Sequence, residues 1–289
     1  MLFRSKMLAL TGVVEEKDGM RRIVLGKFEP ATFKYPARMV APDQAFAAPG
    51  RPPLVLKVND TLSLSFVWIA PGSFFMGAPY YQHVRWQEDP PHRVTLTRPY
   101  WLAETVVSQE IYEALMGANP SPEKNPKFPV KGLYCGEMLA FCKALSAKTG
   151  RTIRLPSAAE WEYAARAGTS NPTFTEKHAA QKNPGGTAYS GPPGPVKAKA
   201  PNAWGLYDFS CNSFELVSDG THGIDRRATV DPDHTPPADK GEGERKHDHI
   251  GKGGQNYPIS EMEFLHPGDG KLIRFRVVVE ASAEEGKPR

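Results

Sequence analysis

Cysteine is the scarcest residue of this chain: 289 residues hold three, Cys135, Cys142 and Cys211, and none follows Cys211. Three cysteines make no disulfide framework. Cys135 and Cys142 fall in one helical pattern, which at about 1.5 Å rise per residue separates their Cα atoms by roughly 10 Å. A disulfide needs less than about 7 Å. They share a helix face, cannot bond while that helix stands, and leave at most one to pair with Cys211; reduced, buried thiols are expected. Long apolar runs are missing too. Nothing approaches the roughly 20 residues that cross a bilayer, so no membrane span is expected. A surplus of one charge is equally absent. Lys and Arg number 36 against 32 Asp and Glu, a net charge of +4, and they are dispersed rather than gathered in a stripe. That argues against nucleic acid as a partner. No signal peptide is evident, because apolar residues 7–14 run directly into Glu15, Glu16, Lys17 and Asp18. The expected compartment is the cytoplasm, or the periplasm or exterior for a processed form.

Glycine (26) and proline (28) are plentiful, which disfavours long helices and favours short strands joined by many loops. Residues 8–14 and 22–28 flank Asp18-Gly19, a turn signal, and predict a small N-terminal β-hairpin. Residues 29–53 are rich in Pro and Ala and read as a connector. The division expected is therefore 1–53 for hairpin and connector, 54–280 for the main domain and 281–289 for a flexible tail. Within the main domain, strands are expected at 65–69, 73–77, 92–97 and 101–107. A helix over 109–116 follows, with Ser108 as its cap, and a second over about 134–148, closed by Gly150. The last strand is expected at 272–279, with Ile273, Phe275, Val277 and Val279 on one face by period-two alternation. Arg274 and Arg276 alternate with that face; they can bind an anion or form ion pairs within the fold, and the second reading is favoured. Residues 169–201 and 219–250 read as long polar loops.

The most informative stretch is Arg154-Leu-Pro-Ser-Ala-Ala-Glu-Trp-Glu-Tyr-Ala-Ala-Arg-Ala-Gly168. Ser157 and Glu160 make a capping box that opens a helix, Trp161, Ala164 and Ala165 share one face, and Gly168 closes it in a left-handed turn. This string resembles the signature of the formylglycine-generating enzymes, the sulfatase-modifying-factor domains. Other landmarks occur in the family's order. Residues 66–77 look like its opening strand pair, and Glu88-Asp-Pro-Pro-His92 follows. Residues 201–219 come next, and Gly251-Lys-Gly-Gly254 precedes the closing Arg274-Phe-Arg276. The resemblance implies an α+β fold: an irregular, loop-rich mixed domain related to the C-type lectin fold.

Active members of that family are copper-dependent oxidases that use two cysteines after a Gly-Gly-Ser-Trp motif. Soft sulfur ligands hold Cu(I). Here Gly253-Gly254 is followed by Gln255, Asn256 and Tyr257, and no cysteine comes later, so copper is not expected and a pseudoenzyme is. The family's calcium site would fall on the Asp208 carboxylate, the backbone carbonyls of Cys211 and Ser213, and the Glu215 carboxylate, hard oxygen ligands in a tight turn. The alternative has Asp208 and Glu215 capping turns or pairing with arginine. A second family calcium site, near residues 183–196, finds no Asp or Glu there and is expected to be lost. Gln255, Asn256 and Tyr257, with Arg274, stand where the family presents its groove and are the expected ligand contacts. His247, Asp248 and His249, with His222 and His234, read as a solvated loop before a metal site. The expected function is a calcium-stabilised scaffold binding a protein or small ligand. An enzyme of other, metal-assisted chemistry in the same groove, or a structural subunit of a larger assembly docking through the N-terminal hairpin, remain the alternatives.

Overall fold

The computed structural model describes residues 12–17, 20–25, 51–77, 92–169, 194–198, 200–209, 214–220, 230–232, 249–253, 262–265 and 273–286. Residues 1–41 and 42–289 form two compact units. In the first, β1 (Gly12–Lys17) pairs antiparallel with β2 (Met20–Leu25), Gly12 opposite Leu25 and Lys17 opposite Met20. The tip, Asp18 and Gly19, lies outside the described residues.

The second unit begins with β3 (Leu54–Lys57), β4 (Ser63–Ile69), β5 (Gly72–Met76), β6 (His92–Leu96) and β7 (Tyr100–Ala103). Helices α1 (Gln109–Met116) and α2 (Cys135–Thr149), strand β8 (Ile153–Arg154) and helix α3 (Ala158–Arg166) follow. The chain closes with β9 (Phe214–Leu216), β10 (His249–Gly253), β11 (Met262–Leu265), β12 (Ile273–Arg274) and β13 (Val278–Glu280). A central sheet runs β3-β4-β7-β13-β8, a smaller one runs β11-β10-β9-β12, and β5 pairs with β6 alone. The domain is thus mixed α+β, as the family resemblance implies, and its elements are short, as its glycine and proline content implies.

All four residues of β7 are buried, because both faces of the central sheet are covered. Trp101 and Ala103 face a core shared with Ile111 and Tyr112 of α1 and Phe141 and Leu145 of α2. Tyr100 and Leu102 face a second core containing Trp161 and Ala164 of α3 and Val94 of β6. Aromatic edges knit the first core. The Trp68 and Trp101 rings lie 5.0 Å apart and those of Phe141 and Phe275 5.3 Å apart, both near perpendicular. Such pairs add about 0.5–1.5 kcal/mol beyond the area they bury.

Three local expectations change. The strand expected over 272–279 is two strands in different sheets. β12 runs parallel to β9, and β13 lies antiparallel between β7 and β8. Between them Phe275 and Val277 offer their carbonyls to the amides of Val107 and Ala103, so the chain crosses between sheets without losing backbone bonds. The alternation survives the crossing: Ile273, Phe275, Val277 and Val279 all enter the first core. The strand expected over 101–107 ends at Ala103 because Val107 bonds to that crossing segment. Ser108 occupies the N-cap position of α1 but its side chain makes no cap bond. The carbonyls of Phe128 and Pro126 instead accept from the Gln109 and Glu110 amides. Helices α1 and α2 stop at Gly117 and Gly150, both left-handed.

Candidate binding site

Helix α3 is anchored from several sides before it carries any chemistry. Its capping box is complete: the Glu160 amide donates to Ser157 Oγ at 3.1 Å and the Ser157 amide to Glu160 Oε2 at 2.8 Å. Arg154 forks the same carboxylate with two bonds of 2.7 Å. Asp219, just beyond β9, accepts the Ala158 amide at 2.6 Å, a carboxylate at a helix N-terminus where the backbone dipole favours it. At the other end the left-handed turn starts one residue earlier than expected, with Ala167 at φ 45° and Gly168 at φ 80°.

Trp161 is fully buried and joins α3 to the smaller sheet. Its indole Nε1 donates to Glu215 Oε2 at 2.8 Å, and its ring meets Phe209 edge-on at 5.0 Å. Gly253, at the end of β10, has φ +81°, and a Cβ there would lie 3.1 Å from the Trp161 ring. The left-handed backbone favours glycine, and an added Cβ would force the Trp161 ring to give by a few tenths of an ångström.

Glu215 and Arg276 form the centre of the site. Arg276 Nε lies 2.5 Å from Glu215 Oε2 and Nη2 lies 2.7 Å from Oε1. Nη2 also donates to the Tyr207 carbonyl at 2.9 Å, and the guanidinium stacks 3.8 Å above the Phe209 ring. Charge-assisted, bidentate bonds of this kind are the strong ones. Asp208 stands nearby with φ 65° and accepts the Lys197 amide on Oδ2 at 3.0 Å. Burial raises its carboxyl above the ordinary aspartate range, opposed by the Lys197 amide and Arg276 and reinforced by Glu215.

A second buried cluster braces the same sheet from α3. Glu162, Lys252 and Arg166 are almost wholly buried. Lys252 Nζ reaches Glu162 Oε2 at 2.9 Å and Arg166 Nη2 reaches Oε1 at 2.6 Å. The Gly77 amide donates to Glu162 Oε1 and its carbonyl accepts from Arg166, at 2.9 and 2.8 Å. Burial by itself raises the Glu162 pKa; Lys252 and Arg166 more than reverse that and hold it below the usual glutamate value.

The expected site residues are distributed as follows. Asp208 and Glu215 come together with Arg276, and Arg274 sits on β12 opposite Glu215 of β9. Cys211, Ser213, Gln255, Asn256 and Tyr257 lie outside the described residues, as do His222, His234, His247 and Asp248; of His249 only the backbone is described. Among the described residues no group of three or more His, Cys, Asp or Glu side chains is arranged to hold a metal ion. Cys135 and Cys142 are both thiols on α2, and burial pushes each to a pKa of about 12. Arg274 is 8 % exposed, and among the described residues its side chain has neither a hydrogen bond nor an ion pair.

Sequence reasoning did not find a cavity of about 340 Å³ on the far side of α3's N-terminus, lined in part by Tyr100, Arg154, Glu160, Asp231, Glu280 and Ser282. Its charges satisfy one another: Arg154 bonds Glu160 and Glu280, and Asp231 accepts the Thr97 amide at 2.7 Å. The expected tail begins beside it in a turn, where Glu285 pairs with Arg151 at 2.7 Å.

The description sulfatase-modifying factor enzyme 1-like domain matches residues 55–268 of the chain. Among solved structures, Treponema denticola variable protein 1 superposes with a TM-score of 0.62 at 24% identity, covering 80% of this chain and 100% of that one. PvdO from Pseudomonas aeruginosa gives the same TM-score, identity and coverages. CarF superposes with a TM-score of 0.52 at 20% identity, covering 76% of this chain and 99% of its own. These likenesses establish the fold and carry no activity. No curated protein matches the chain.

Proposed function

The chain belongs to the sulfatase-modifying-factor family, and from that premise we propose that it is a non-oxidase member: a lectin-like binding scaffold, stabilised by calcium, for a protein or small ligand. The observation that carries this reading is chemical. A copper oxidase of this family needs a pair of thiolates after the Gly-Gly motif, and no cysteine follows Cys211. The Cys135 and Cys142 thiols are buried on α2 with pKa values of about 12, far from thiolate character at neutral pH. The anchored core supports a scaffold, because loops can change to suit a ligand while Trp161, Glu215 and Arg276 hold the frame. The ligand's contacts are proposed as Gln255, Asn256, Tyr257 and Arg274.

Calcium fits the described part of its site in one respect and is limited in another. A carboxylate offers about four acceptor directions. Among the described residues Glu215 Oε2 accepts from Trp161 and Arg276, while Oε1 accepts one bond and keeps a direction free. Asp208 contributes a buried carboxylate whose ionised form lacks a bonded cation among the described residues. The proposed set is one oxygen from each, with the Cys211 and Ser213 carbonyls. Because Arg276 neutralises Glu215, affinity in the upper micromolar range or weaker is expected, about 10⁻⁴ M.

The test uses purified protein. Calcium titration should raise the melting temperature of the wild type and leave Asp208→Asn unmoved; an identical response in both removes calcium from the proposal. Incubation with copper and a sulfatase-motif peptide should leave the peptide's cysteine intact by mass spectrometry. Formylglycine in that peptide, or stoichiometric copper, iron or zinc in the purified protein, overturns the scaffold reading in favour of catalysis.

A further inference from the structure

We propose that Arg274, with Lys131 beside it, receives an oxyanionic group of the bound ligand, a carboxylate, sulfate or phosphate. The inference deepens the binding reading above and rests on it.

Arg274 is on β12, the terminal strand of the β11-β10-β9-β12 sheet. At 8 % exposure its side chain is more than nine-tenths buried, and its Nε is buried with no hydrogen-bond partner. Arg276, two residues along the same segment, shows what this fold does with an arginine it pairs. That guanidinium bonds both oxygens of Glu215 and the Tyr207 carbonyl. Removing a cation from water without a counter-charge is strongly unfavourable. A planar fork of donors left in that condition is matched to the two oxygens of a carboxylate, sulfate or phosphate.

Lys131 is brought to the same place by the backbone. The Val130 amide donates to the Val107 carbonyl and the Val107 amide to the Phe275 carbonyl, each at 3.0 Å. Lys131 follows Val130 and Arg274 precedes Phe275, and both of those apolar neighbours are in the first core. Ser121, itself 1 % exposed, holds the Lys131 backbone from both sides, accepting its amide at 3.0 Å and donating to its carbonyl at 3.4 Å. No hydrogen bond or ion pair engages Lys131 Nζ among the described residues. Burial first, and then the charge of Arg274, lower the Lys131 pKa, with Glu123 opposing. The charge of Arg274 thus reaches Lys131. The carboxylates whose fields reach them are Glu123 and Asp208. Neither ion-pairs with them among the described residues, and Glu215 is taken by Arg276.

The test is saturable titration, followed by calorimetry or amide chemical shifts, of sodium sulfate, phosphate and acetate at constant ionic strength against chloride. Sulfate raises the melting temperature of most proteins by exclusion from their surface, so saturation is the readout. Wild type should saturate with at least one oxyanion, and the preference between acetate and the tetrahedral ions identifies the ligand's group. Arg274→Gln should weaken it by roughly tenfold or more and Lys131→Gln by roughly threefold. Arg274→Met, measured in chloride alone, should melt no lower than wild type, because the unpaired charge is gone. No saturation in wild type, equal affinity in Arg274→Gln, or an Arg274→Met protein as destabilised as Arg276→Met would overturn the proposal. The two readings fail separately: formylglycine production sinks the scaffold without touching oxyanion titration, and flat titrations remove the subsite while leaving the scaffold.

Discussion

At the scale of single residues, the site depends on one contact that is tight for any added atom. Gly253 lies against the Trp161 ring at a left-handed φ. Gly253→Ala should therefore destabilise the fold by about 2 kcal/mol, the sum of backbone strain and overpacking. Gly117→Ala supplies the comparison. It too has a positive φ, +79°, but nothing lies within 4 Å of its added Cβ, so strain acts alone and the loss should be about 1 kcal/mol. Urea midpoints with unchanged slope check both; equal losses would mean the Trp161 contact yields freely. Trp161 itself was legible in the sequence as a core residue on a helix face. Its bond to Glu215 was not, because the partners are 54 residues apart and no local pattern links them.

At the scale of elements, α3 shows how a nine-residue helix can be held in place. Nine residues are too few to be helical alone in water. The capping box and the Asp219 carboxylate accept its first amides, and the Arg154 fork holds the Glu160 carboxylate in place. Ser157→Ala removes one side of the box and should lower stability by about 1 kcal/mol. No more than this typical value is expected, because Asp219 still accepts the Ala158 amide. Thermal unfolding monitored by circular dichroism checks this, and a loss several times larger would show that the cap organises the neighbouring loop as well. The box was readable from Ser-Ala-Ala-Glu spacing, whereas Arg154 acts from β8 and Asp219 from the segment after β9. The same contrast appears at the C-terminus. Period-two alternation correctly assigned Ile273, Phe275, Val277 and Val279 to one core. It could not reveal that the strand changes sheets midway, since a crossing that keeps its backbone bonds leaves the side-chain period intact.

At the scale of the whole domain, the buried Glu162 cluster ties β10 and Gly77, just after β5, to α3. Glu162 is held below the usual glutamate value in the fold. The stability it contributes is therefore present above the unfolded glutamate range, near pH 4.3, and is lost as pH falls through and below it. Asp208, raised by burial, acts in the opposite sense, since its protonation favours the fold. Glu162→Gln leaves Lys252 and Arg166 without their shared carboxylate and should cost about 3–5 kcal/mol at neutral pH. It should also flatten the acid limb of stability between roughly pH 5 and 3. Chemical unfolding at a series of pH values checks both; an unchanged acid limb would place the acid-sensitive group elsewhere. Among the described residues no helix is long and apolar enough to cross a membrane.

The amino-acid order by itself settled the α+β character, the helix boundaries near α1, α2 and α3, the inward face of the last strands and the family. Each of these rests on local spacing, on caps and on motif strings. It also placed Arg274 and Arg276 on one face without distinguishing them. Only the tertiary structure decided that Arg276 is paired with Glu215 while Arg274 is buried without a bonded partner among the described residues. Pairing depends on which distant carboxylate the folded backbone brings within about 3 Å, and alternation along a strand carries no information about that distance.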